Sequence, residues 1–148
     1  MQVRHLMQRE VVTLEASESL GVADDIMRLG RIRHMPVLSG SKLVGILSQR
    51  DLFRAAISSV LHPQPAIEQE WLNRIRVREV MTSPVFTTTP DASIHSAVEE
   101  MLAKRIGCLP VVEHEALVGL LSETDCLRFL TRLLNISEIR EQLPLLLE

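Results

Sequence analysis

Four residues carry most of the chemistry available to this sequence: Ser48 with Asp51, and Ser122 with Asp125. Each pair stands at Ser-x-x-Asp spacing directly after an aliphatic run with one glycine, Leu43-Val44-Gly45-Ile46-Leu47 and Leu117-Val118-Gly119-Leu120-Leu121. Such a run suits a buried strand, and Ser-x-x-Asp at its end is the signature of a helix N-terminus. The free N–H groups and the positive dipole end there attract anions such as phosphate. A carboxylate in that mouth can accept two hydrogen bonds from vicinal ribose hydroxyls, which is the role expected of Asp51 and Asp125. A hydroxyl beside backbone N–H groups can hold a phosphate, the role expected of Ser48 and Ser122. The plainer alternative is a capping box, with the Asp bonding back to the cap N–H.

The elements that must position these groups occur twice. An offset of 74 positions pairs Pro36-Val37 with Pro110-Val111, Gly45 with Gly119, Ser48 with Ser122 and Asp51 with Asp125, without a gap. The same register matches Val3-Arg4 to Val77-Arg78, Met7 to Met81, Met27 to Met101, Arg31-Ile32 to Arg105-Ile106, and Arg54 to Arg128. Roughly a third of the paired positions are identical, the mark of an internal repeat. Two copies predict a pseudo-symmetric pair.

In each copy the pattern predicts strand, helix, strand, strand, helix. Val11 to Leu14 reads as the first strand, and Leu20, Ala23 and Met27 as the buried stripe of a helix capped from the Ser17-Glu18-Ser19 cluster and closed near Gly30. His34 to Leu38 and Lys42 to Leu47 form a hairpin about Ser39-Gly40-Ser41. A helix from Asp51 to Ile57 fades by His62-Pro63. The second copy repeats the plan with Val85 to Thr88, a helix entered through Pro90 to Ser93, strands Cys108 to Val112 and Leu117 to Leu121, and a helix from Ser122 to about Leu134. This gives a first repeat over 1–62, a linker over 63–76 with room for a short helix, a second repeat over 77–134, and a helical tail over 135–148. Trp71 is expected to pack over the joint. The tail is expected to be interrupted near Pro144, with Leu145-Leu146-Leu147 packing on its own module or on a partner.

The chain of 148 residues is 46% hydrophobic, enough for a real core, and its formal net charge of −3 offers no electrostatic footprint for nucleic acid. No apolar run approaches the roughly 18 to 20 residues of a membrane span, and the N-terminus leads into no signal-peptide core. A cytoplasmic protein is expected. Cys108 and Cys126 lack metal or secretory spacing and read as buried thiols. There is no G-x-S-x-G, HExxH, Walker or Rossmann motif, and His5, His34, His62, His95 and His114 fall in no ligand spacing. Neither an enzyme nor a metal site is expected.

Two copies of this unit, each with an aliphatic-Pro-Val strand and Gly-x-x-Ser-x-x-Asp, resemble a tandem pair of cystathionine-β-synthase (CBS) domains, a Bateman module. The likeness runs from Val3 to Leu134, so no appended enzyme or transporter domain is expected. The resemblance implies an α/β (α+β) pair with pseudo-twofold symmetry and two clefts between the repeats. It implies regulatory binding there of an adenosine-containing ligand such as AMP, ADP, ATP or S-adenosylmethionine, with no catalytic cofactor. Basic residues before the strand proline often reach ligand phosphates in similar proteins; Arg33 and His34 fit that pattern, whereas Gly107 and Cys108 depart from it. Family clefts are composite, so the better-equipped site is expected to join Ser122 and Asp125 to Arg33 and His34. Val11 and Val85, with Ile32 and Ile106, stand where adenine-lining residues fall, although aliphatic strand residues are usually core. Glu10 stands where copy two has Pro84, and its carboxylate would repel a phosphate-bearing ligand. Unequal sites follow.

Phe53, Ile57, Phe129 and Leu133 give the second helices more apolar side chains than one repeat interface needs, which predicts a homodimer through them. The regulated partner is not specified by the residues. The alternative to a sensor is a structural or interaction module that dimerises with empty clefts.

Overall fold

The computed structural model describes residues 1–57 and 65–146. The break expected at His62-Pro63 lies outside the described residues, and so do the side chains of the Leu145 to Leu147 tail, on which its expected packing turns. The first repeat contains β1 (Leu14–Glu15), α1 (Leu20–Gly30), β2 (His34–Ser39), β3 (Lys42–Ser48) and α2 (Gln49–Ile57). Helices α3 (Pro65–Arg74) and α4 (Val77–Val80) lead to the second repeat, with α5 (Ile94–Lys104), β4 (Cys108–Glu113), β5 (Ala116–Ser122) and α6 (Glu123–Leu146).

The offset seen in the sequence is reproduced in the pairing. The β2–β3 hairpin sets Pro36 opposite Ile46 and Val37 opposite Gly45, with a bulge between Val37 and Leu38. In the β4–β5 hairpin Pro110 faces Leu120 and Val111 faces Gly119, with the bulge between Val111 and Val112. Ser19 and Ser93 cap α1 and α5, their Oγ atoms accepting from Val22 and Ser96 N–H. Both helices close through an arginine in the left-handed region, Arg31 at φ 52° and Arg105 at φ 54°, one residue beyond the expected Gly30.

The first strands are shorter than the sequence suggests. β1 is two residues, Leu14 and Glu15, running parallel to Val37 and Leu38. In the second repeat only a bridge from Thr88 to Val111 occupies the same place. An apolar run shows which residues favour extension but not how far a partner strand runs beside them. α6 is likewise one helix through Pro144 rather than two short ones. Proline near a helix end removes one N–H bond without ending the spiral.

The segments that precede each repeat are exchanged. Thr82 pairs in both directions with Ile46 of β3, and Gln8 pairs in both directions with Leu120 of β5. Val77 and Leu72 therefore belong to the first core with Leu14, Leu20, Met35, Val37 and Leu47. Val3 belongs to the second, with Ala97, Met101, Leu109, Val111 and Leu121. Gly45 and Gly119 make the exchange possible. A side chain at Gly45 would strike Met81, and one at Gly119 would meet Met7 Sδ and the Gln8 carbonyl, each at 2.8 Å.

Among the described side chains of α3 the buried one is Leu72, 2% exposed, while Trp71 is 42% exposed. Trp71 does not pack over the joint as expected, because the weakly amphipathic α3 presents the neighbouring leucine to the core. Leu72→Ala is expected to cost about 2 to 5 kcal/mol, and Trp71→Ala less than about 1 kcal/mol. Chemical denaturation of the two variants checks this, and equal losses would contradict the assignment of the buried face.

Candidate functional site

Where strand ends and helix begins, both Ser-x-x-Asp motifs form capping boxes. Ser48 N–H and Ser48 Oγ donate to Asp51 Oδ2 at 2.9 and 2.8 Å, and Asp51 N–H donates to Ser48 Oγ at 3.1 Å. The second copy has the same three bonds between Ser122 and Asp125, at 2.9, 2.6 and 3.3 Å. The local role of these residues is thus to fix the strand-to-helix corner.

The copies differ in the other carboxylate oxygen. Asp125 Oδ1 accepts from Gln8 Nε2 at 3.0 Å, and the residue is 7% exposed. No donor among the described residues reaches Asp51 Oδ1, and Thr82 stands where the other copy has Gln8. Asp51 and Ser48 line a cavity of about 1280 Å³ between the repeats, whereas Ser122 and Asp125 do not. Its walls on the second repeat include the apolar Pro84, Val85 and Ile106. Arg33, Arg50, Arg54 and Arg105 line it against the acidic Asp51 and Glu123, a basic surplus that favours an anion.

Ile32 lines a smaller cavity of about 450 Å³ with Arg28, Arg31 and Arg33. Val11 is half-buried and lines neither cavity. The expected combination of Ser122 and Asp125 with Arg33 and His34 is therefore not the one that the large cavity brings together; Arg33 and His34 line it with Ser48 and Asp51 of their own repeat. Arg33 does cross the repeat boundary, its Nη2 donating to Thr124 Oγ1 at 2.7 Å inside the second motif. Arg54 and Arg105 are not among the sequence candidates, although both stand at positions that repeat as arginine, Arg54 with Arg128 and Arg105 with Arg31.

The departure at Gly107 has a packing reason. A Cβ at position 107 would sit 3.0 Å from His34 Cε1 and Nε2, so glycine makes room for the His34 ring of the other repeat. Burial and the Arg33 guanidinium lower the His34 pKa below its ordinary value, against the opposing fields of Glu123 and Asp51. The ring is therefore neutral at pH 7 and offers a donor and an acceptor rather than a charge. Burial pushes the Cys108 thiol up to about 12, which makes it unreactive. Cys126 is only half-buried, less enclosed than expected, and its thiol is also raised by desolvation. Among the described residues, no group of three or more His, Cys, Asp or Glu could hold a metal ion, and no helix is long and apolar enough to cross a membrane.

Comparison with known proteins agrees with this architecture. The CBS domain matches twice, over residues 3–58 and 77–132. Inosine-5'-monophosphate dehydrogenase of Korarchaeum cryptofilum is 32% identical over 79% of this chain and 22% of that protein. The chain spans less than a quarter of the length of several curated relatives it matches. Among solved structures, a Vibrio cholerae chain named for acetoin utilization (AcuB) is 34% identical with a TM-score of 0.72, covering 96% of each chain. The CBS domain pair of protein MJ0100, solved in complex with 5'-methylthioadenosine and S-adenosyl-L-methionine, has a TM-score of 0.73 at 22% identity, covering 88% of this chain and 99% of that one.

Proposed function

This chain belongs to the CBS-domain family, and we propose that it is a ligand-sensing regulatory module that binds an adenosine-containing molecule in the cleft faced by Asp51. The observation that carries the reading is that Asp51 Oδ1, unengaged among the described residues, lines a cavity with both apolar and basic walls. Asp51 would accept the ribose hydroxyls, Val85, Ile106 and Pro84 would hold the flat base, and the arginines would meet a phosphate or other charged tail. Ser48 already bonds Asp51 through its hydroxyl, so it contributes to the ligand mainly by holding that carboxylate in place. The MJ0100 pair adds that a module of this fold can accommodate adenosyl ligands.

A ligand lining both repeats binds their arrangements unequally, and that difference is what shifts their orientation. The readout is a partner protein contacted by the module. Second helices offer the assembly surface: Phe53 and Ile57 on α2, and Leu127, Leu130, Leu133, Leu134 and Ile136 on α6, are all exposed. We assign this surface to a homodimer. The rival reading, an interaction module with empty clefts, shares the dimer and differs only in the ligand.

Titration with AMP, ATP and S-adenosylmethionine in a thermal melt separates them. A ligand at 100 times its Kd stabilises by about 2.7 kcal/mol, a rise of roughly 5 to 10 °C for a chain of this size. No rise with any of the three would favour the interaction module. In light scattering a mass twice 16.7 kDa is expected, and a single 16.7 kDa species would remove the dimer.

A further inference from the structure

We propose that Gln8 is a built-in occupant of the second cleft, so that the chain takes one adenosine-type ligand rather than two. The inference rests on the reading of Asp51 as a ligand acceptor and concerns its counterpart. The Gln8 Nε2 amide donates to Asp125 Oδ1 at 3.0 Å, as a ribose hydroxyl would. With Ser122 N–H and Oγ on Oδ2, both oxygens of a carboxylate only 7% exposed are engaged from within the chain.

Gln8 is held there by its backbone. Its N–H donates to Leu120 O and its carbonyl accepts from Leu120 N–H, both at 2.9 Å. In the other repeat Thr82 makes the same pair with Ile46, at 2.8 and 3.1 Å, so the backbone is equivalent and the side chain is the difference. Beside Thr82 lies the large cavity, which includes Ser48 and Asp51; neither cavity includes Ser122 or Asp125. The remaining neighbours do not replace Gln8. Arg128 Nη1 is 4.0 Å from Asp125 Oδ1, beyond hydrogen-bond reach, and its side chain is largely exposed.

A ligand entering the second cleft must displace a charge-assisted bond. That lowers its affinity there on the order of 10- to 100-fold relative to an open carboxylate. Gln8→Thr installs the side chain that the equivalent backbone already carries at Thr82, and is therefore compatible with the fold. Gln8→Ala provides a second route to the same opening.

The test is isothermal titration calorimetry with 5'-methylthioadenosine, which carries no phosphate for Glu10 to repel. The native chain is expected to bind one equivalent, lost in Asp51→Ala and kept in Asp125→Ala. Gln8→Thr and Gln8→Ala are expected to bind two, the second lost when Asp125→Ala is added. Two sites in the native chain, or one site in both Gln8 variants, would overturn the proposal while leaving the Asp51 reading intact. Binding only in the Gln8 variants would uphold Gln8 as occupant and remove the Asp51 reading. Absence of binding in all chains would overturn both.

Discussion

Asp51→Ala is expected to weaken binding of an adenosine-containing ligand by a factor of about 100 or more, while Asp125→Ala leaves it within about threefold. A hydrogen bond to a charged group contributes about 1.5 to 3 kcal/mol, and the ribose diol offers two; losing both amounts to at least a hundredfold in Kd. The order should reverse for stability. Asp51 is half-buried and its protein bonds are those of a helix cap, so its removal costs about 1 kcal/mol. Asp125 is buried with donors on both oxygens, and its removal strands the Gln8 amide and the Ser122 N–H, a loss of about 2 to 4 kcal/mol. Calorimetric Kd values and denaturation midpoints for the two variants check this. Equal loss of ligand affinity in both would mean that the two carboxylates share the work, and the reverse pattern would move the ligand to the second cleft.

Much of the architecture was legible because it is written twice. Gly45 and Gly119, Pro36 and Pro110, and the two Ser-x-x-Asp motifs specify one backbone path, and the structure repeats that path down to the bulges after Val37 and Val111. The exchange of lead-in segments was not legible. Val3 to Met7 and Val77 to Met81 show an amphipathic pattern, which says that one face is buried but not in which repeat. Gln8 was invisible for the same reason: nothing local marks a glutamine as the partner of an aspartate 117 positions away. The expected pairing of the second motif with Arg33 and His34 rests on local residue types alone, which carry no information about position 8. Arg33, His34 and Asp125 offer the richer set of charged and polar groups, and the structure adds that the Gln8 amide is bonded to Asp125 Oδ1. Trp71 illustrates a different limit, since aromatic area predicts burial on average while helix phase decides it at one position.

Gly119→Ala is expected to be the most damaging of the small substitutions, by about 3 kcal/mol. The added methyl would lie 2.8 Å from the Gln8 carbonyl, a backbone atom held in the two-way pair with Leu120, and 2.8 Å from Met7 Sδ. Overpacking of this kind costs about 1 to 3 kcal/mol where side chains can yield, and here a strand pairing must yield as well. At roughly 2 to 4 °C per kcal/mol the melting temperature should fall by about 6 to 12 °C. Gly45→Ala is the control: the two nearest atoms it meets, Met81 Sδ and Cγ, can rotate away, leaving only Met81 Cβ at 3.1 Å fixed by the backbone, so its loss should be smaller. Comparable melting temperatures for the two variants would mean that the lead-in at Gln8 is no more firmly seated than a methionine. A larger loss at Gly119 ties the motif glycine to the exchanged segment, because the absence of a side chain at position 119 leaves room for the Gln8 backbone to pair with Leu120, and that pairing places the Gln8 amide within reach of Asp125.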